Sequence, residues 1–180
     1  MQLRLLILAD AAELADYYRR NQAFHRDWSP LMPADYATPR VQEARLRAYF
    51  ERHNRGEQYR FGIFASPESG HDSGHDSEQV IGTITLAGVE QDFFQNGRLG
   101  YSVDQQWCNR GVITNHLQQV MQFAFGKLGL HRLEASVMPE NLASRRVMEK
   151  CGFEKIGHAP KYLQIQGVWR DHDLYARLAA

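Results

Sequence analysis

The sequence predicts an α/β fold of mixed α+β type, with a mostly antiparallel sheet flanked by helices. Two observations support this class. Short β-rich runs alternate with helical stretches, and a strand–helix–strand unit near the middle favours a right-handed parallel crossover. Turns join the runs on either side of that unit, as in antiparallel meanders and hairpins. With 180 residues, the chain is expected to form a single domain, 1–180.

The composition is that of an ordinary globular protein. Hydrophobic residues make up 43% and charged residues 23%, so a buried core is expected. Lys plus Arg and Asp plus Glu number 21 each, which argues against a general electrostatic hold on nucleic acid. Two cysteines are too few for a disulfide framework. Without a signal peptide or a bilayer-spanning stretch, we expect a reduced, soluble, cytoplasmic protein with no membrane partner.

The first half of the chain predicts a strand, two helices and a β-meander. Asp10 and Glu13 have capping-box spacing at the start of the first helix. Thr38 and Pro39 are a typical N-cap and first turn for the second helix. A twice-repeated Gly-His-Asp-Ser segment makes 66–78 a flexible loop between strands. The predicted elements are a strand at 3–8, helices at 10–20 and 38–52, and strands at 59–65, 80–89 and 98–104.

The second half predicts a helix, a strand, a second helix and a hairpin. Apolar residues fall on one helical face of 112–127. Pro139 ends the strand that follows, and Asn141 is a good N-cap for the last helix. Two β-like runs meet at Gln166 and Gly167, which indicates a hairpin. The predicted elements are a helix at 112–127, a strand at 131–138, a helix at 141–151, and strands at 153–165 and 168–178.

Four segments carry a resemblance to a known family. They are LGYSVDQQW, the turn and helix that follow it, RLEASVMPENLASRRVMEKCGF, and YLQIQGVWRDHDLYARL. These segments resemble the GNAT acetyltransferases, and among them the ribosomal-protein N-acetyltransferases of the RimJ/RimL type. The resemblance implies the acyl-CoA N-acyltransferase fold, acetyl-CoA as cosubstrate, no metal, and direct attack in a ternary complex. The implied acceptor is the N-terminal amine, an alanine, of a ribosomal protein.

Two other functions stay open on the sequence. One is acetylation of a small amine, a polyamine or an antibiotic, and the other is a CoA-binding module without activity. The second arises because the family's pyrophosphate loop, Gln/Arg-x-x-Gly-x-Gly/Ala, falls on 108–113, where Gly111 alone matches and Cys108 and Ile113 differ. Backbone N–H groups at a helix N-terminus bind phosphate, so the substitutions do not exclude binding. The sequence allows either a monomer or a homodimer.

The resemblance also implies which residues contact acetyl-CoA. Val103, on an expected bulge in 100–104, offers its N–H to the thioester carbonyl, with Tyr101 nearby. Asn141 contacts the pantetheine arm as well as capping its helix. The residues expected around the pyrophosphate are Asn109, Arg110, Gly111, Val112, Ile113 and Thr114.

Two residues are candidates for proton transfer. Ser144, one helical turn after Asn141, is a candidate proton donor to the leaving thiolate, or simply a first-turn serine. Glu134 shares a side of its strand with Ser136 and is a candidate base, acting directly or through a water, if that side faces the cleft. A surface or salt-bridged carboxylate is the alternative for Glu134. An α-amino group, with a pKa of about 7.7–8.0, needs little help to lose its proton.

The remaining histidines fit metal binding poorly. The run Asp171-His172-Asp173 resembles a metal or triad fragment, but strand alternation puts His172 on the opposite face from both aspartates. Trp169 and Asp171 share a face and border the expected peptide site. His71 and His75 are expected in a mobile loop.

The cysteines and three aromatic residues are open to more than one interpretation. Cys108 and Cys151 are expected to be structural, since a nucleophilic cysteine needs a histidine partner or a lowered pKa. Three aromatic residues fit either an acceptor channel or packing of the first two helices: Phe24, Trp28 and Tyr36.

Overall fold

The computed structural model describes residues 1–66 and 78–179. Within these residues the mixed, mostly antiparallel sheet is confirmed, with seven strands in the order β1-β2-β3-β4-β5-β7-β6. Neighbouring strands are antiparallel apart from β4 and β5. The predicted loop lies almost wholly outside the described residues. The strands are β1 Gln2–Leu5, β2 Gln58–Ala65, β3 Gln79–Glu90, β4 Asn96–Val103, β5 Arg132–Val137, β6 Glu154–Ile165 and β7 Val168–Leu178.

Helices cover both faces of the sheet. The helices are α1 Ala11–His25, α2 Pro39–Asn54, α3 Val112–Gln122 and α4 Leu142–Lys150. Leu14 of α1 and Leu46 of α2 share a buried cluster with Phe64 of β2. Leu117 of α3 belongs to a larger cluster that includes Ile63 of β2. Because successive strand residues point to opposite faces, the two clusters lie on the two sides of the sheet. No helix in the described ranges has the length and apolar character needed to cross a membrane.

Local signals placed most helix starts correctly. The Thr38 side chain accepts the Val41 N–H at 3.4 Å at the start of α2. Asp10 precedes α1 as predicted, but its side chain makes no cap bond to that helix. Its carboxylate is instead bound by the two terminal guanidinium nitrogens of Arg4, each at 2.8 Å, and by the Ile7 N–H at 2.8 Å. The strand arginine therefore displaces the expected capping box.

The pairing of β4 with β5 is short, and the site depends on this. The two strands pair from Asn96–Arg132 to Arg98–Glu134 and then diverge. The predicted bulge in 100–104 is wrong, because the register between β3 and β4 is continuous from Val103 to Arg98. The backbone groups near Val103 are released by divergence of β5, not by a bulge in β4.

Candidate active site

A cleft of about 430 Å³ lies where β4 and β5 diverge. Its walls come from these two strands, the end of α1, the turn before α3 and the start of α4. The cleft brings together nine of the eleven residues predicted to bind acetyl-CoA or to transfer protons, from segments far apart in the chain. They are Tyr101, Val103, Asn109, Gly111, Val112, Ile113, Thr114, Asn141 and Ser144.

The edge of β4 that faces β5 is open along the cleft. The Asp104 N–H donates to the Ile81 carbonyl at 2.8 Å, so the backbone of Asp104 faces β3. Backbone groups alternate between the two edges of a strand, so Tyr101 and Val103 direct their N–H and C=O groups away from β3. The Tyr101 groups and the Val103 N–H are therefore available at the divergence, whereas the Val103 carbonyl is bonded by His25.

The turn before α3 presents a helix N-terminus to the cleft. Gly111 is its N-cap, with φ of +72°, a left-handed conformation that favours glycine. Asn109 also has positive φ, +59°. The first turn of α3 contains no acidic residue, and the N-cap supplies no side-chain bond. Such a terminus suits an anionic group.

Arg110 lies outside the cleft wall. Its guanidinium carbon is 5.2 Å from the centre of the Trp107 ring, and the side chain is exposed. The expected contribution of Arg110 to phosphate binding stays a prediction. Two cations that sequence reasoning missed do line the cleft, Arg146 and Lys150. Their i, i+4 spacing after Asn141 was the available signal, since it places both on one face of α4.

The start of α4 is fixed against β4. Asn141 accepts the Ser144 N–H at 3.1 Å, which confirms its role as N-cap. The Tyr101 hydroxyl donates to the Ser144 carbonyl at 3.2 Å. Burial raises the pKa of Tyr101 to about 12, so the phenol keeps the proton that it donates. The backbone N–H and the backbone carbonyl of Ser144 are thus both hydrogen-bonded, which fixes Ser144 at the cleft.

Glu134 lies in a second, smaller cavity of about 100 Å³. Its carboxylate pairs with the Arg132 guanidinium at 2.7 Å, the salt-bridged alternative that the sequence left open. Ser136 lies on the same side of β5 and lines both the second cavity and the cleft. The cleft and the second cavity therefore meet along β5. Glu134 lies in the second cavity, beyond Ser136.

A polar cluster ties the end of α1 to the turn after β4. Asp104 accepts bonds from Arg20 at 2.6 Å, Asn21 at 3.0 Å and the Gln106 N–H at 2.9 Å. Burial works to raise the pKa of Asp104, but these bonds outweigh it and the pKa is lowered. The Asn21 side chain also accepts the Gln105 N–H at 2.9 Å.

Two histidines line the cleft, and sequence reasoning assigned neither to it. His25, the last residue of α1, has its Nε2 atom 2.8 Å from the Val103 carbonyl oxygen. His172 reaches the cleft from β7, while Asp171 and Asp173 turn to His158 at 3.3 and 3.0 Å, as strand alternation predicted. In the described part of the chain, no group of three His, Cys, Asp and Glu side chains is arranged as metal ligands.

The cysteines are held as thiols. Cys108 lines the cleft with its Sγ atom 3.6 Å from the Asp104 carbonyl, and burial followed by the Asp104 charge raises its pKa. Cys151 is buried, with its Sγ atom 3.8 Å from the Thr114 carbonyl, and burial raises its pKa too. A raised pKa disfavours the thiolate that nucleophilic attack requires.

The three aromatic residues separate into two groups. Phe24 and Trp28 line the cleft. Tyr36 is buried away from it, with its ring centre 4.8 Å from that of Tyr18, and packs α1 against the start of α2.

Comparison with known proteins gives the family. Residues 1–154 match the Acetyltransferase (GNAT) domain family. The probable N-acetyltransferase YjcK of Bacillus subtilis is 37% identical over 98% of this chain and 92% of that relative. The [ribosomal protein uS5]-alanine N-acetyltransferase of Escherichia coli is 34% identical over 97% of this chain and 85% of that enzyme. The chain belongs to the GNAT acetyltransferase family and is an N-acetyltransferase by that membership.

Solved structures show the same fold. The ribosomal-protein-S5-alanine acetyltransferase of Vibrio fischeri superposes with a TM-score of 0.89 at 29% identity, covering 98% of this chain and 92% of that one. RimJ of Mycobacterium smegmatis, solved in complex with CoA-disulfide, gives 0.87 at 27% identity, covering 98% and 81%.

Proposed function

We propose that this protein transfers the acetyl group of acetyl-CoA to the N-terminal amine of a ribosomal protein that begins with alanine. One observation carries the proposal. The divergence of β4 and β5 places the open edge at Val103 and the acid-free N-terminus of α3 in a single cleft. A thioester and a pyrophosphate need these two kinds of backbone donor. The names of the Escherichia coli and Vibrio fischeri relatives support the choice of acceptor.

The binding of the cosubstrate follows from the walls of the cleft. The Val103 N–H donates to the thioester carbonyl oxygen and stabilises the charge that develops there during attack. The N-terminus of α3, opened by Gly111, receives the pyrophosphate, and Arg146 and Lys150 add positive charge. Asn141 contacts the pantetheine arm near its cap position. The complex of the Mycobacterium smegmatis relative with CoA-disulfide supports a cleft for this ligand.

The proton transfers use groups on both strands and α4. The neutral acceptor amine attacks the thioester carbon, and a C–N bond forms as the C–S bond breaks. Ser144 donates its hydroxyl proton to the departing thiolate and regains a proton from solvent, so CoA leaves as the thiol. Glu134 takes the amine proton through water, because it lies in the second cavity beyond Ser136. Before the attack, an α-ammonium group becomes neutral more readily than a lysine ammonium, whose pKa is about 10.4.

The test is an acetylation assay with matched acceptors. A peptide that begins with alanine and copies a ribosomal-protein N-terminus is compared with the same peptide blocked at its amine, and with lysine, spermidine and an aminoglycoside. We expect acetylation of the free peptide alone. Strong activity on a small amine, with none on the peptide, would contradict the proposal in favour of small-amine acetylation. Binding of acetyl-CoA without transfer to any acceptor would indicate an inactive CoA-binding module.

A further inference from the structure

His25 makes one polar contact in the cleft, and that contact is to the backbone. Its Nε2 atom lies 2.8 Å from the Val103 carbonyl oxygen. A carbonyl oxygen accepts only, so Nε2 carries the hydrogen and donates it. The ring is held by Tyr17, at 5.7 Å between ring centres, and by Phe24, at 5.3 Å. The imidazole is therefore fixed in place with a defined donor.

The bonded carbonyl belongs to the open edge of β4. The peptide group between Val103 and Asp104 is held on both sides. Its N–H donates to Ile81 of β3 at 2.8 Å, and its C=O receives the His25 bond in place of a strand partner. Because β5 has diverged at this level, no strand among the described residues pairs with this edge. His25 supplies the missing constraint from α1.

The surroundings keep the imidazole neutral near pH 7. Burial lowers the pKa of His25, and the Val103 carbonyl and the Asp104 carboxylate offset part of that effect. The Asp104 charge is itself bound by Arg20. From α1, Tyr17 faces the ring as a neutral phenol, because burial raises its pKa. His172 of β7 is the other imidazole in the cleft wall.

We propose that His25 is a positioning residue for acetyl transfer, which fixes the open edge of β4 through its Nε2–H bond to the Val103 carbonyl. The proposal rests on the proposed function, since it concerns the strand edge that receives the thioester carbonyl. His25 acts through Val103 and contacts no reacting atom. A misplaced edge leaves the pyrophosphate site of α3 intact, so the loss falls on kcat and not on KM for acetyl-CoA.

Two substitutions separate this role from others. In His25→Gln the amide nitrogen stands four bonds from Cα, as Nε2 does, and can donate to the same carbonyl. In His25→Asn the amide is one bond too short. We expect His25→Asn to lower kcat about tenfold or more with KM for acetyl-CoA nearly unchanged, and His25→Gln to restore most of kcat. The control is His53→Asn on α2, a ring-packed histidine outside the cleft.

Two results for these variants would overturn the proposal. If both His25 variants keep wild-type kcat, the proposal is overturned. Equal loss in both, together with loss of the acidic limb of the pH–rate profile, makes His25 a proton acceptor and also overturns it. Circular dichroism and thermal melting establish that each variant is folded. If a variant does not fold, nitrogen NMR of the wild-type protein tests the proposal instead.

Nitrogen NMR of the wild-type protein tests the geometry without an acceptor. We expect His25 as the neutral tautomer protonated on Nε2, whereas the Nδ1-protonated form would overturn the proposal. Failure of the proposed function is a separate result. It appears as a wild-type protein that acetylates none of the acceptors above, whatever the tautomer of His25.

Discussion

Gly111 ends the turn before α3, the proposed pyrophosphate site, in a left-handed conformation. Its φ of +72° is strained for any residue with a Cβ, although a Cβ would meet only the Asn115 amide, at 3.8 Å. We expect Gly111→Ala to lower stability by about 1 kcal/mol and to raise KM for acetyl-CoA, because the turn must shift. The matched control is Gly88→Ala in β3, which has φ of +56° and free space for a Cβ. It should lose similar stability and keep the wild-type KM, and equal KM effects would contradict the prediction.

The Asn141 cap offers a second comparison between two similar positions. Asn141→Ala removes the bond to the Ser144 N–H, so we expect a loss of about 1 kcal/mol in stability and a higher KM for acetyl-CoA. Thr38→Ala removes the corresponding cap of α2, far from the cleft. Denaturant unfolding and steady-state kinetics should show that both variants lose stability and that Asn141→Ala alone changes KM. An unchanged KM in Asn141→Ala would limit Asn141 to capping.

Residues of this kind were predictable, because caps and positive-φ turns are encoded within a few positions of sequence. Asn141 was found in that way, and Gly111 was found as the matching glycine of the family's pyrophosphate loop. His25 was not, because its role depends on the Val103 carbonyl, 78 residues along the chain. No local pattern reports a bond of that range.

At the scale of elements, α1 is longer than its sequence pattern indicates. The polar run after Tyr18 breaks the amphipathic spacing, and the helix was expected to end near residue 20. It continues to His25 because Asn21, although buried, is satisfied by bonds to the Tyr17 carbonyl and to Asp104. Hydrogen bonds in the folded structure thus offset the cost of burying a polar side chain that the local sequence pattern predicts to be exposed. The extra turn carries Phe24 and His25 into the cleft.

The Asp104 cluster should make this junction sensitive to acid. The pKa of Asp104 is lowered in the folded state, so its contribution is present above the ordinary value of about 3.9 and is lost as pH falls through the lower folded value. We expect Asp104→Asn to destabilise by about 1–3 kcal/mol at pH 7. The difference from wild type should shrink below about pH 4.

Glu57→Gln is the control for the charge change in that experiment. Glu57 also pairs with an arginine, Arg55 at 2.7 Å, but both side chains are exposed. Exposed pairs contribute little, so the variant should unfold close to wild type at every pH. Urea unfolding from pH 3 to 7 measures both proteins. A constant difference between Asp104→Asn and wild type across that range would show that the cluster does not titrate as proposed.

At the scale of the whole molecule, the site is the place where the sheet changes pairing. The sequence predicted the order of elements and the parallel crossover, because both follow from hydrophobic periodicity and from the length of the connections. It did not predict where β5 leaves β4, since divergence depends on packing of α3, α4 and the hairpin together. The residues predicted to bind acetyl-CoA through their backbone line one cleft as a group, and their binding role stays a prediction. Glu134, predicted to act directly or through a water, lies in the second cavity.

Binding of acetyl-CoA should stabilise the whole fold, since the cleft joins elements from both halves of the sheet. At about 100 times the dissociation constant, a ligand of the native state adds about 2.7 kcal/mol. For a chain of this size, that corresponds to a rise in Tm of about 5–10 °C. Thermal melting measures it, with S-acetylpantetheine, which lacks the pyrophosphate, as the control that should give a smaller shift. Equal shifts for the two ligands would contradict a pyrophosphate site at α3.

The open edge of β4 has one more consequence, visible in amide hydrogen exchange. From Gly100 to Val103, alternate N–H groups bond to β3 and the others face the divergence. Exchange should therefore alternate residue by residue, slow at Gly100 and Ser102 and faster at Tyr101 and Val103. A thioester seated in the cleft would slow Val103 selectively. The exchange rates of the β4 amides would then report both the pairing with β3 and the binding of a thioester.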